Sequence, residues 1–262
     1  MIKKEITILI LILGMVFAGL VNSNNNQLTY AHNFTPNSLS TFITLVYRAQ
    51  VELSLANSSF PLNVTIALDH AEDAAQLIDD AYYFDEEIVD DADFTRKYNE
   101  ALNSRNSTIH ALVIANIIDQ ILREYGKAFD IGYDLTNMSN MMRADMPDVT
   151  SYPAPPSGSA NNTDTSTNST NQNNELRVVN IADYQSAQKL SEKAYQIFRG
   201  NLPLLPLSSN NTDTSIMARL EKSIKDLSYL VEIKAPAQEI MILVHGEIHP
   251  SLQLAYDLIL KR

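Results

Sequence analysis

Two histidines four residues apart, His245 and His249, with Glu247 between them, are the first place where this sequence could do chemistry. On a straight helix, residues at i and i+4 share a face, so both imidazoles could reach one metal ion. The acidic residue sits at the wrong offset for the His-Glu-x-x-His pattern of zinc hydrolases, and Pro250 disfavours helical geometry at His249. A kink carrying two polar caps is the plainer account of the pair, since i, i+4 pairs are common by chance.

Three further groups deserve the same weighing. His70 falls on the apolar stripe of an expected helix, where a lone histidine is more often a hydrogen-bonded core residue than a ligand. His110 falls in the first turn of another. A bundle that brought His70, His110 and His245 together would hold a transition metal. Met138, Met141, Met142 and Met146 lie within nine residues. Thioethers suit Cu(I), above all in an exported chain without cysteine, yet methionine is also an adaptable core filler. The acidic run from Asp85 to Asp93 lacks the spacing and central glycine of an EF-hand loop, so it reads as a solvated face or an anionic helix start. No cofactor is expected, with copper or another transition ion as the alternative.

Several catalytic patterns are missing from the sequence: Gly-x-Ser-x-Gly, the phosphate-binding Gly-x4-Gly-Lys-Ser/Thr, Cys-x-x-Cys-His, and the Glu-x-x-His of di-iron bundles. The expectation is a protein that is not an enzyme.

The elements that must position these residues are helices. Phe42, Leu45, Val46, Ala49, Leu53 and Ala56 follow 3-and-4 spacing, with Asn37 or Ser38 as cap. Ala67, His70, Ala71, Ala74, Leu77, Ile78 and Ala81 make a second stripe, with Asp69, Asp73, Asp79 and Asp80 on the far face. A weaker helix ends near Leu102. The stretch from Thr108 to Phe129, capped by Ser107 or Thr108, is apolar nearly all round, which suits a central position. After residue 178, Tyr184, Ala187, Leu190, Ala194 and Ile197 share a face, and Gly200 reads as the stop. Met217, Leu220, Ile224, Leu227 and Val231 form another stripe. Pro236 opens a last helix, expected to kink or break between Gly246 and Pro250. Only seven glycines occur, too few for many hairpin turns or nucleotide loops. The fold class is therefore all-α, a bundle of about six or seven helices.

Organisation and location follow from composition. Lys3 and Lys4 precede 16 residues, Ile6 to Val21, that are apolar apart from glycine and threonine. This reads as a signal peptide over 1–23, or an uncleaved signal anchor, and so as export. Residues 24–146 form a first helical half. Residues 147–178, rich in Pro, Asn, Ser and Thr, read as a flexible linker. Residues 179–262 form a second half, expected to pack with the first because it would make a marginal domain alone. Eight Asn-x-Ser/Thr acceptors occur, at Asn33, Asn57, Asn63, Asn106, Asn137, Asn161, Asn168 and Asn210. They have meaning only outside the cytoplasm. No cysteine is present, so the core alone must hold the fold.

The net charge is −12; removing Lys3, Lys4 and Glu5, which together carry +1, leaves −13. That disfavours nucleic acid and anionic lipid as partners, since both reward lysine and arginine. The expected role is structural or interactive, at the cell surface, with an extracellular or cell-envelope protein as partner. Membrane contact would come only through an uncleaved N-terminal segment. The alternative is extracytoplasmic transition-metal binding through His and Met.

Overall fold

Asparagine starts four of the helices, because its short side-chain carbonyl can satisfy the orphan N–H groups of a first turn. The computed structural model describes residues 34–35, 37–84, 90–104, 106–142, 177–202 and 211–259. In chain order these contain α1 (Ser38–Ser59), α2 (Val64–Phe84), α3 (Asp91–Asn103), α4 (Ser107–Ala128), a 3-10 turn (Met138–Met142), α5 (Ile181–Asn201), α6 (Asn211–Glu232), α7 (Ala237–Leu243), a π-helical turn (Val244–Ile248) and α8 (His249–Tyr256). Asn37, Asn63, Asn106 and Asn180 accept first-turn N–H groups of α1, α2, α4 and α5. The cap of α4 is thus Asn106, not Ser107 or Thr108: its Oδ1 accepts from Thr108 N at 3.0 Å and Ile109 N at 3.3 Å. The protein is all-α, and no strand occurs among the described residues.

Helix α4 is central, as its apolar circumference requires. Ala111, Val113, Ile114, Ile117, Ile118, Ile121 and Leu122 are fully buried. Helices α1 and α2 form a hairpin, and α5 lies along α4. The chain leaves α4 at Ala128 and returns to the same point, where Val179 N–H and Asn180 N–H both donate to Ala128 O, at 2.8 and 3.2 Å. Side chains from both stretches, 24–146 and 179–262, enter one hydrophobic cluster, among them Phe42 and Ile118 with Leu190, Leu227 and Ile240. Thr35 N–H donates to Ile259 O at 2.8 Å and ties the start of the described chain to its end.

Two helix ends differ from expectation. Gly200 is not a left-handed stop; α5 runs one residue further to Asn201 before Leu202 turns extended. The expected break between Gly246 and Pro250 is a π turn instead. His249 N–H donates to Val244 O, five residues back, and the rod continues from Ala237 to Tyr256. Pro250 brings no N–H and a bulky ring, and widening one turn relieves both without breaking the helix. The rod ends where Asp257 turns left-handed, at φ 52°.

The signal segment 1–23, the linker 147–178 apart from its last two residues, and residues 85–89 of the acidic run lie outside the described residues, as do Met146, Asn33, Asn161, Asn168 and Asn210. Among the described residues, no helix is long and apolar enough to cross a membrane.

Candidate functional site

Apart from His110, the buried acids and histidines of the described residues gather in two places. The first lies between α1, α2, α4 and α5. His70 is completely buried, and its Nδ1 lies 2.7 Å from Glu52 Oε2. Its Nε2 lies 3.0 Å from Gln185 Oε1. With Glu52 and Gln185 both presenting oxygens, the arrangement favours a ring protonated on both nitrogens, an imidazolium. Ser186 Oγ–H also donates to Glu52 Oε2, at 3.0 Å. Burial alone would lower the His70 pKa, but the hydrogen bonds to Glu52 and Gln185 and the charges of Glu52 and Asp73 outweigh it and raise it above 6.5. One histidine therefore fastens α2 to α1 and to α5.

Around this brace lies a ring of charge. Glu124 of α4, also buried, accepts from Gln120 Nε2–H, and Lys127 Nζ reaches it at 3.3 Å. Burial, then the charge of Glu124 and a hydrogen bond to it, push Asp183 up to about 7. Asp73, at the solvent edge, is pushed up to about 6 by desolvation and by repulsion from Glu52 and Glu124, against Lys127 and His70. Arg48 sits among the same carboxylates; burial pulls its guanidinium down, and Glu124 and Glu52 pull it back up.

The second place is the π turn. His245 and His249 meet edge to face, with ring centroids 5.4 Å apart. His245 Nε2–H donates to Leu135 O at 3.1 Å. His249 Nε2 lies 3.3 Å from Asp119 Oδ1, and Phe34 packs its ring against His249. All four of these side chains are buried.

The structure thus brings His245 and His249 together and engages both nitrogens of His70 elsewhere. His110 is buried, and its Nε2–H donates to Ser104 O at 2.7 Å. Among the described residues, no group of three or more His, Cys, Asp or Glu is placed to hold a metal ion. Met138 is exposed on the 3-10 turn, and the side chains of Met141 and Met142 lie outside the described residues. Of the glycosylation candidates, Asn57, Asn63, Asn106 and Asn137 are all exposed. Asn63 and Asn106 are helix caps, and Asn137 Oδ1 accepts from Ser139 N–H at 3.0 Å. Their side-chain hydrogen bonds account for Asn63, Asn106 and Asn137 without a glycan.

Sequence reading missed Glu52, Asp119, Glu124, Asp183, Gln185 and Ser186. A signal existed for two of them. Glu52 interrupts the apolar stripe of α1 three residues after Ala49, and Asp119 interrupts a helix that is apolar on every side. A charge at such a position needs a buried partner.

A third feature is on the surface. The α1–α2 turn presents Phe60 and Leu62 to solvent, 66% and 89% exposed, and the start of α2 adds Val64 and Leu68. The turn itself is ordered: Leu62 N–H and Asn63 N–H both donate to Ser59 O, at 2.9 and 2.8 Å. No family model, no curated protein and no solved structure matches this chain.

Proposed function

We propose that this is an exported helical-bundle protein with a structural or interaction role at the cell surface, where it engages an extracellular or cell-envelope protein. The N-terminal charge and apolar run support export, and the acceptor asparagines at exposed helix ends are compatible with glycosylation. One observation carries the interaction role: the apolar tip at Phe60, Leu62, Val64 and Leu68. Two large apolar side chains on a hydrogen-bonded turn, followed by Val64 and Leu68 at the start of α2, are a preorganised contact, and clustered exposed apolar residues mark interaction sites more than scattered ones do. The buried His70 brace supports the same reading, because its polar groups are spent on joining helices.

Two measurements test this. In intact cells, a membrane-impermeant amine reagent is expected to label the full chain, and a chain lacking residues 1–23 is expected to escape labelling. Protection of the full chain would reject export. The double variant Phe60→Asp, Leu62→Asp is expected to lose association with the envelope fraction at unchanged thermal stability. Unchanged association would reject the tip as the contact.

A second reading, transition-metal binding, draws on the His245–His249 pair alone, whose rings meet at 5.4 Å between centroids. Metal analysis of untagged protein tests it: a stoichiometric ion that disappears in His249→Ala supports it, and a metal content equal to that variant's rejects it.

A further inference from the structure

Lysine in this acidic protein is usually matched to a carboxylate. Lys127 pairs with Glu124, Lys189 with Glu192, Lys222 with Asp226 and Lys225 with Glu221. Lys193 of α5 is different. It is half-buried, and among the described residues no carboxylate forms an ion pair with it. Its ammonium instead lies over the Tyr47 ring, 4.2 Å from the centroid. Burial lowers its pKa, and no neighbouring charge raises it back.

The same lysine lines a cavity. Between α1 and α5 lies a groove of about 160 Å³, bordered by Gln50, Val51 and Ser54 on one side and Lys189, Lys193 and Gln196 on the other. Pockets for drug-sized ligands begin at roughly 300 Å³. This one has room for a few waters, each taking about 30 Å³, or for one tetrahedral ion in their place. Its polar border is rich in donors: two ammonium groups, two amides and a hydroxyl, with no carboxylate among them. Lys189 is already paired with Glu192 at 2.6 Å, which leaves Lys193 as the lining cation outside any ion pair among the described residues.

We propose that the groove between α1 and α5 is a binding site for a small oxyanion of the phosphate, sulfate or carboxylate class, held by the Lys193 ammonium with donors from Ser54 and Gln196, while Gln50 Nε2–H donates to Tyr98 Oη at 2.9 Å. A half-buried ammonium loses hydration, and the Tyr47 face returns only part of it. An anion in the groove returns the rest. The surrounding charge of −12 repels anions at long range, so binding is weak and specific to the local donors. This site is independent of the tip and of export.

The test uses the full chain after signal removal, in thermal shift titrations with sodium phosphate, sulfate and acetate, each against sodium chloride at equal ionic strength. At least one oxyanion is expected to raise the melting temperature in a saturable way at millimolar concentration. Lys193→Met is expected to abolish that increment while folding, Lys193→Arg to keep it, and Lys222→Met to leave it unchanged. The effective anion is also expected to slow acylation of Lys193, read by peptide mass spectrometry. An increment no larger than chloride gives, or one that survives in Lys193→Met, would overturn the proposal.

Discussion

The two buried histidine regions solve one problem in opposite ways. At His70 the ring is placed between side chains from two other helices, a carboxylate on α1 and an amide on α5, which favour its protonated form. At the π turn the two rings sit on one rod and face each other. Their polar contacts there include a backbone carbonyl for His245 and a carboxylate oxygen for His249. The first arrangement spans the bundle and makes three helices depend on one proton. The second is local, and the rewound turn sets it. Breaking the first should therefore cost more, and should depend more on pH, than breaking the second.

The largest effect is expected from Glu52→Ala. It leaves a completely buried imidazolium without its carboxylate, and removing one partner of a buried ion pair costs about 3–5 kcal/mol. Denaturant unfolding measures it. A loss below about 1 kcal/mol, the level of an exposed pair, would mean that the contact does not brace the fold. The π-turn counterpart, Asp119→Ala, is expected to cost about 1–3 kcal/mol, the range for leaving a buried polar group short of a partner. A larger loss there than at Glu52 would reverse the ranking of the two regions.

The pH response sharpens the contrast. His70, Asp73 and Asp183 all have pKa values raised by folding, so the folded state binds more protons than the unfolded one. Stability then falls as pH rises. For Asp73 the loss runs from about 4 to about 6, and for Asp183 from about 4 to about 7. The His70 contribution is complete below 6.5 and disappears as pH climbs through its raised folded value. The melting temperature is expected to be higher at pH 5 than at pH 8, and His70→Gln is expected to flatten the part of the curve above 6.5. A wild-type maximum at pH 8 would contradict the sign.

The smallest effect concerns Asn106, which is both cap and glycosylation candidate. Asn106→Ala is expected to cost about 1 kcal/mol through loss of the cap. Asn106→Asp keeps a capping carboxylate and removes the acceptor nitrogen, so its unfolding free energy should stay near wild type. An equal loss in both variants would show that something other than capping stabilises this end.

Much of the fold was legible because buried stripes repeat. Leu220, Ile224, Leu227 and Val231 are spaced for one helix face and are all buried in the core. The apolar circumference of α4 announced its central place. The site was less legible, since its contacts join residues 18, 115 and 134 positions apart in sequence. Periodicity shows that His70 turns inward; it carries no trace of which residue on another helix it meets. Asp73 illustrates the limit. Its spacing put it on the far face with Asp69, yet the packing of α4 and α5 brings Glu124 near enough to perturb it. The π turn was half legible: Pro250 signalled a disruption, but whether a helix breaks or rewinds depends on the packing around it.

The most direct test of the His70 brace is an NMR titration of the His70 ring nitrogens in the folded protein. Two slowly exchanging ring N–H protons at pH 6, with a titration midpoint above 6.5, are the expected result. A single neutral tautomer at pH 6, or a midpoint below 6.5, would contradict a buried imidazolium that ties α2 to both α1 and α5.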